Sequence, residues 1–198
     1  MKKLLYLLLA ATSVAAYAQD FDKQMATART AHASGDLENS RFALEQALHE
    51  LDVVIGKKIL ELLPTKLGSL AYNEKDDNVT GGSGVASGLF VHRSYGNPEN
   101  AAALDIINNS PLITSLNAIL SIPFVGNSAD GSQKVVKVQG YKAVLNKKEN
   151  EATGKTGYTL QVPLNNTLFT LDMDNTSEQE IQTIAHGIPL SKISQMAQ

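Results

Sequence analysis

The stretch YTLQVPLNNTLFTLDM, residues 158–173, decides the fold class. It reads as a β-hairpin, with strands Tyr158–Pro163 and Thr167–Met173 turning at Asn165-Asn166. Upstream, Gly140 joins two further strands, Lys134–Gln139 and Tyr141–Leu145, and Lys147–Gly157 is expected to be a loop. Earlier still, Leu67–Tyr72, Gly88–Tyr95 and Ala102–Ile107 read as strands, with the acidic break Glu74–Asn78 and the turn Gly96-Asn97-Pro98 between them. Two helices interrupt and close this series. One opens at Ser110-Pro111, a cap followed by a favoured first position, and ends by Pro123. The other starts at Thr176 or Ser177, where Ser177 and Glu180 have capping-box spacing, and stops at Gly187. Strands joined mostly by short turns make an antiparallel sheet whose face two helices can cover. The expectation is an α+β fold: a mostly antiparallel sheet of about six or seven strands covered by two helices, behind an N-terminal antiparallel helical hairpin.

That hairpin is read from residues 21–63. Gln24–Ala33 is alanine-rich, Ser34-Gly35-Asp36 breaks it, and a second helix starts near Leu37. Leu44, Ala47, Leu48, Leu51, Val54, Ile55, Ile59 and Leu62 recur at three- and four-residue steps as one apolar stripe. Pro64 ends the helix, because the residue before a proline is pushed out of the helical region. The first residues look like an export signal. Lys2 and Lys3 precede the uncharged apolar run Leu4–Ala11, and Ala16-Tyr17-Ala18 offers small residues for cleavage before Gln19. The run from Leu4 to Ala18 is shorter than the ~20 apolar residues that span a bilayer. The expected organisation is therefore 1–18 signal peptide, 19–63 helical hairpin and 64–198 α+β domain, with a periplasmic or secreted location and no transmembrane segment after cleavage. A chain begun near Pro64 is expected to fold by itself.

Composition narrows the function classes. Without the leader's two lysines the chain keeps 15 basic and 20 acidic residues, a net charge of −5. This lacks the electrostatic footprint of a nucleic-acid binder. Cysteine is absent, which rules out disulfides, thiolate zinc sites and a lipid anchor at the cleavage point. Tryptophan is absent and aromatics are 6%, which argues against a carbohydrate-stacking platform.

Two resemblances rest on short stretches. Ala28, the Gly35-Asp36-Leu37 turn, Ser40, Leu44 and Ala47-Leu48 resemble a single tetratricopeptide-repeat unit, with Ala31 where a large aromatic is usual. A solenoid needs about three such units, and the sequence holds no second copy. The run Leu63-Pro64-Thr65-Lys66-Leu67-Gly68-Ser69, a glycine-rich loop and a strand leading into Asn109-Ser110-Pro111-Leu112 resemble uncharacterised exported proteins of Gram-negative bacteria. The layout also resembles the PsbP-type sandwich of photosystem-associated proteins. These resemblances imply an α+β fold and an envelope location, and carry no chemistry.

Motifs for catalysis do not stand out. Thr80–Gly88 lacks the Gly-Lys-Ser/Thr ending of a phosphate loop. His32, His49, His92 and His186 are widely separated, and His49-Glu50 does not continue into a metalloprotease pattern. His92-Arg93 reads as a solvated strand face. There is no Gly-x-Ser-x-Gly elbow, and Asn-x-Ser/Thr triplets at Asn78, Asn108, Asn165 and Asn175 read as composition. Asp172 and Asp174 point the same way at a strand end and suggest a calcium ion. Calcium asks for more oxygen ligands, and Glu178 and Glu180 are accounted for by the following helix's dipole. No catalytic, cofactor-binding or metal residues are assigned, and no cofactor is expected.

The remaining candidate is an interaction surface on Pro111–Ile122, a helix without a single charge. Leu112, Leu116, Asn117, Leu120, Ser121 and Phe124 are its proposed members, holding an envelope protein or a second copy of the chain. The functional expectation is a non-catalytic binding or interaction module. The alternative is a carrier of a small apolar ligand between sheet and helices; a hydrolytic enzyme comes last.

Overall fold

The structure is a computed structural model that describes residues 20–82, 88–122, 128, 130–149 and 154–197. The expected leader and Phe124 lie outside the described residues.

Two antiparallel helices lead, α1 (described over residues 20–33) and α2 (Leu37–Leu62). Gly35 turns the chain at φ +82°, and the Asp36 side chain caps α2 by accepting from the Asn39 amide at 3.1 Å. The Ser40 hydroxyl donates to the Ala28 carbonyl at 3.0 Å, which fixes how the two helices register. A two-residue pair follows, β1 (Lys66–Leu67) and β2 (Leu70–Ala71), then a 3-10 turn at Glu74–Asp76. The main strands are β3 (Asn78–Thr80), β4 (Phe90–Asn97), β5 (Asn100–Asn108), β6 (Gln133–Val138), β7 (Tyr141–Glu149), β8 (Thr156–Leu164) and β9 (Thr167–Met173). Helix α3 (Leu112–Ser121) stands between β5 and β6, and α4 (Glu178–His186) and α5 (Leu190–Met196) close the chain.

The seven strands form one antiparallel sheet in the order β3-β4-β5-β9-β8-β7-β6. It consists of two meanders that meet where β5 pairs β9, with Leu104 opposite Leu171. Helix α3 carries the chain from the centre of the sheet to its far edge. The β8–β9 turn is built as the sequence suggests, with Asn165 at φ +58°.

One face of the sheet packs Val91, Leu104, Ile106, Leu160, Phe169 and Leu171 against the end of α2 (Ile59, Leu63) and against α4 (Ile181, Ala185) and α5 (Leu190, Ile193). On the opposite face α3 sets Leu116 and Leu120 on Val144 and Leu168. The expected α+β class with its helical pair is therefore present, while the helices divide between two faces. Helix α2 crosses β3 and β4 so closely at Gly56 that a Cβ there would collide with Val79 and Leu89.

Local details differ from the sequence reading. Leu67–Tyr72 splits into β1 and β2 around Gly68, held at φ +58°. Helix α3 starts one residue late: Pro111 is its N-cap, and buried Ser110 offers its backbone carbonyl to the Ile113 amide at 3.2 Å. The loop expected at Lys147–Gly157 is shorter, since β7 runs to Glu149 and β8 begins at Thr156. The stop at Gly187 is followed by α5, whose N-cap is Pro189.

Each helix end on the sheet is closed by a side chain from another element. The last carbonyls of an α-helix lack partners within the helix, and four long or amide side chains supply them. Arg93 of β4 donates to Leu60 and Leu63 at the end of α2, at 3.0 and 3.2 Å. Lys142 of β7 donates to Leu120 of α3 at 3.0 Å. Gln139, in the β6–β7 turn at φ +50°, donates to Ala185, His186 and Ile188 around the end of α4, at 3.1, 3.2 and 2.6 Å. Asn108 at the end of β5 donates to Ala197 after α5. Hydrogen bonding thus fixes where the helices stop, and burial fixes which face they show to the core.

Candidate functional site

The five described residues of the surface proposed on α3 divide between two sides of the helix. Leu116 and Leu120 are buried against the sheet, whereas Leu112, Asn117 and Ser121 are exposed. The outward side of α3 presents Thr114, Ser115, Asn117, Ala118 and Ser121, small and uncharged, with half-exposed Ile122 beyond its end.

The larger exposed apolar face is on α2. The stripe read from sequence, taken with its neighbours Leu37, Ser40, Ala43 and Leu63, divides three ways. Ala43 and Ala47, with Ser40, are buried in the hairpin, where small side chains let the helices approach closely. Ile59 and Leu63 enter the sheet's core. Leu37, Leu44, Leu48 and Leu51 face outward at 64%, 44%, 60% and 41% exposure. Phe42, 59% exposed, borders a separate groove between α1 and α2 that Lys23, Thr27 and Asn39 also line. This groove has a volume of about 680 Å³, and a second depression of about 660 Å³ lies along Glu178, Gln182 and His186 on the outside of α4. Both are open to solvent, and neither lies between sheet and helices, where the alternative reading would place a carried apolar ligand.

The polar candidates resolve into partnerships. His92 and Arg93, neighbours on β4, point to opposite faces of the sheet. The His92 Nδ1 lies 2.7 Å from Asp105 Oδ1, and its ring stacks on Phe90 with centroids 6.3 Å apart. Arg93 is buried, contrary to the expected solvated face. Its Nε and Nη2 donate to the two oxygens of Asp77 at 2.9 and 2.6 Å, and its guanidinium lies 4.7 Å from the centroid of the Tyr72 ring. The next inward residue, Tyr95, donates to the Pro64 carbonyl at 2.8 Å, and burial raises its pKa. These groups tie the α2–β1 junction to the sheet.

Asp172 and Asp174 do share a cation, and it is the ammonium of Lys148. Lys148 Nζ pairs with Asp172 and lies 2.8 Å from Asp174, while the Thr159 hydroxyl donates to the other oxygen of Asp172 at 2.6 Å. Partial burial works against the ammonium's charge. The two carboxylates outweigh it and hold the Lys148 pKa above lysine's ordinary value. A lysine reaching from β7 fills the position in which the sequence suggested calcium. Lys134 binds Glu178 in a similar way at 2.5 Å. Among the described residues no three His, Cys, Asp or Glu side chains are placed to hold a metal ion.

Among the described residues no helix is long and apolar enough to cross a membrane. Compared with protein-family models, with curated proteins and with solved structures, the chain finds no match.

Proposed function

We propose that this chain is an exported, non-catalytic binding module that holds a partner on the outer face of α2. The carrying observation is the row Leu37, Leu44, Leu48 and Leu51, four leucines exposed along one side of a single helix. A contiguous apolar patch of this kind on a folded surface marks an interaction site more often than a solitary leucine does. The body of the protein holds the C-terminal half of α2, with Gly81 against His49 and Asp52, while Leu37, Leu44, Leu48 and Leu51 stay exposed to meet another molecule. Support for export is the leader-like order of Lys2-Lys3, Leu4–Ala11 and Ala16-Tyr17-Ala18.

Both parts of the reading have a direct test. The exported protein should carry Gln19 as its first residue in mass spectra of the periplasmic or secreted fraction; an intact leader there would remove the localisation. A photo-crosslinking amino acid at Leu44 or Leu48 should give one discrete adduct in cells, and the same amino acid at exposed Ser191 should not. Absence of an adduct at either leucine would end the docking reading.

A further inference from the structure

The spacing and flanks of the α2 face specify what kind of partner it fits. Leu37, Leu44 and Leu51 recur every seven residues, and Leu48, Ile55 and Leu62 repeat four residues after Leu44, Leu51 and Lys58. Alternating steps of four and three are the seam along which one α-helix packs on another, each apolar side chain entering a hole on the facing helix. Ile55 packs partly against the core, which leaves the seam from Leu37 to Leu51 uncovered. Its two flanks differ. On one side Ser40 and Ala47 are buried in the hairpin, so α1 closes that flank. On the open side stand Glu38 and Glu45, followed by Asp52, which is partly buried beside Gly81, with no basic residue among them. Arg41, within the seam, bridges back to Glu45 at 3.0 Å.

These flanks discriminate between occupants. A second copy laid antiparallel would set Glu45 against its own counterpart, bringing like charges together. A second copy laid parallel would need the flank that α1 already fills. A different helix with the same apolar spacing and a basic flank meets neither obstacle, and its lysines or arginines would face Glu38 and Glu45. We infer that the docked partner is an amphipathic helix of another protein, with leucine-like residues at three- and four-residue steps and a lysine- or arginine-rich flank. The inference rests on the docking reading above and adds the partner's chemistry to it.

Two fluorescent synthetic helices of roughly three heptads test it. They share one leucine seam and differ only in bearing lysine or glutamate along the flanks. Titrated with the purified protein and followed by fluorescence anisotropy, the lysine helix should bind saturably and the glutamate helix about tenfold more weakly, the direction set by like-charge contact. Leu48→Glu should abolish binding without lowering Tm, and Glu38→Lys with Glu45→Lys should reverse the preference between the helices. Equal binding of both helices, or binding of neither, overturns the inference. Sedimentation as a dimer that Leu48→Glu dissolves overturns it too, and assigns the face to a second copy. A discrete cross-linked adduct in cells without lysine-helix binding would sink the partner chemistry alone, whereas absence of the adduct would sink the docking reading beneath it.

Discussion

Arg93 grips Asp77 through two parallel hydrogen bonds in a site where the two side chains keep only 8% and 14% of their exposure. The pair fastens the segment after the 3-10 turn, and the remaining guanidinium hydrogen bonds reach the end of α2. Removing one partner of a buried pair strands the other charge, a loss of about 3–5 kcal/mol. Arg93→Ala should therefore unfold at markedly lower urea concentration than the unaltered protein. Arg93→Met combined with Asp77→Leu should recover part of that loss. A single variant as stable as the parent would show that the pair carries little of the fold.

The same contacts bear on where the folded unit starts. Ile59 and Leu63 belong to the main core, and Leu60 and Leu63 supply acceptors to Arg93. A chain begun at Pro64 loses all of these. It should show no cooperative thermal transition, whereas a chain begun near Val53 keeps them and should show one. A sharp transition in the shorter chain would place the boundary at Pro64 after all.

The two N–H groups of the Gln139 amide reach three carbonyls at the end of α4, so one hydrogen is shared. Gln139→Ala keeps the left-handed turn geometry equally strained and removes only the amide; because Ala185 and Ile188 keep backbone donors, the loss is that of ordinary hydrogen bonds, about 0.5–1.5 kcal/mol. Hydrogen exchange should speed up at the C-terminal end of α4 before it does in β9. Uniform exchange through both elements would deny the amide this local role.

Lys148 gives a pH signature. Its pKa is raised in the folded chain, so its contribution is complete below lysine's ordinary value of about 10.4 and fades as pH climbs through the higher folded value. Stability of the unaltered protein should decline over that alkaline range more steeply than that of Lys148→Met. Parallel curves across that range would count against the bridge.

The exposed leucines should be inert to folding. Leu44→Glu and Leu48→Glu are surface changes and should each alter stability by no more than about 0.5 kcal/mol. A large loss by calorimetry would mean that the face is covered within the chain itself.

How much of this was legible in the sequence depends on the distance over which each feature is set. The β8–β9 turn was, because Asn165-Asn166 lies between two adjacent strands and its geometry is local. The helical pair was legible from Gly35 and the alanine-rich first helix. The meeting of β5 with β9 was not, since nothing near Leu104 names Leu171 as its neighbour. Arg93 looked solvated because its neighbour His92 is polar too, and strand alternation does not say which of the two faces inward. The sequence raised calcium at Asp172 and Asp174 and assigned no metal there; their cation was not legible because it comes from Lys148, two strands away in the sheet. On α2 the apolar stripe was visible as a whole, but which of its residues would be covered depends on where the hairpin leaves the sheet.

The order of the strands also governs when the protein can become native. Ala102 pairs with Met173 across an interval that holds α3 and three complete strands. Closing so long a loop costs chain entropy before the pairing returns anything, and such non-local sheets fold slowly. Until β9 arrives, β5 has one bare edge and the first meander has no core-forming counterpart. The seven-stranded sheet therefore closes only once β9 joins β5, and the pairing of Leu104 with Leu171 is a late event in folding.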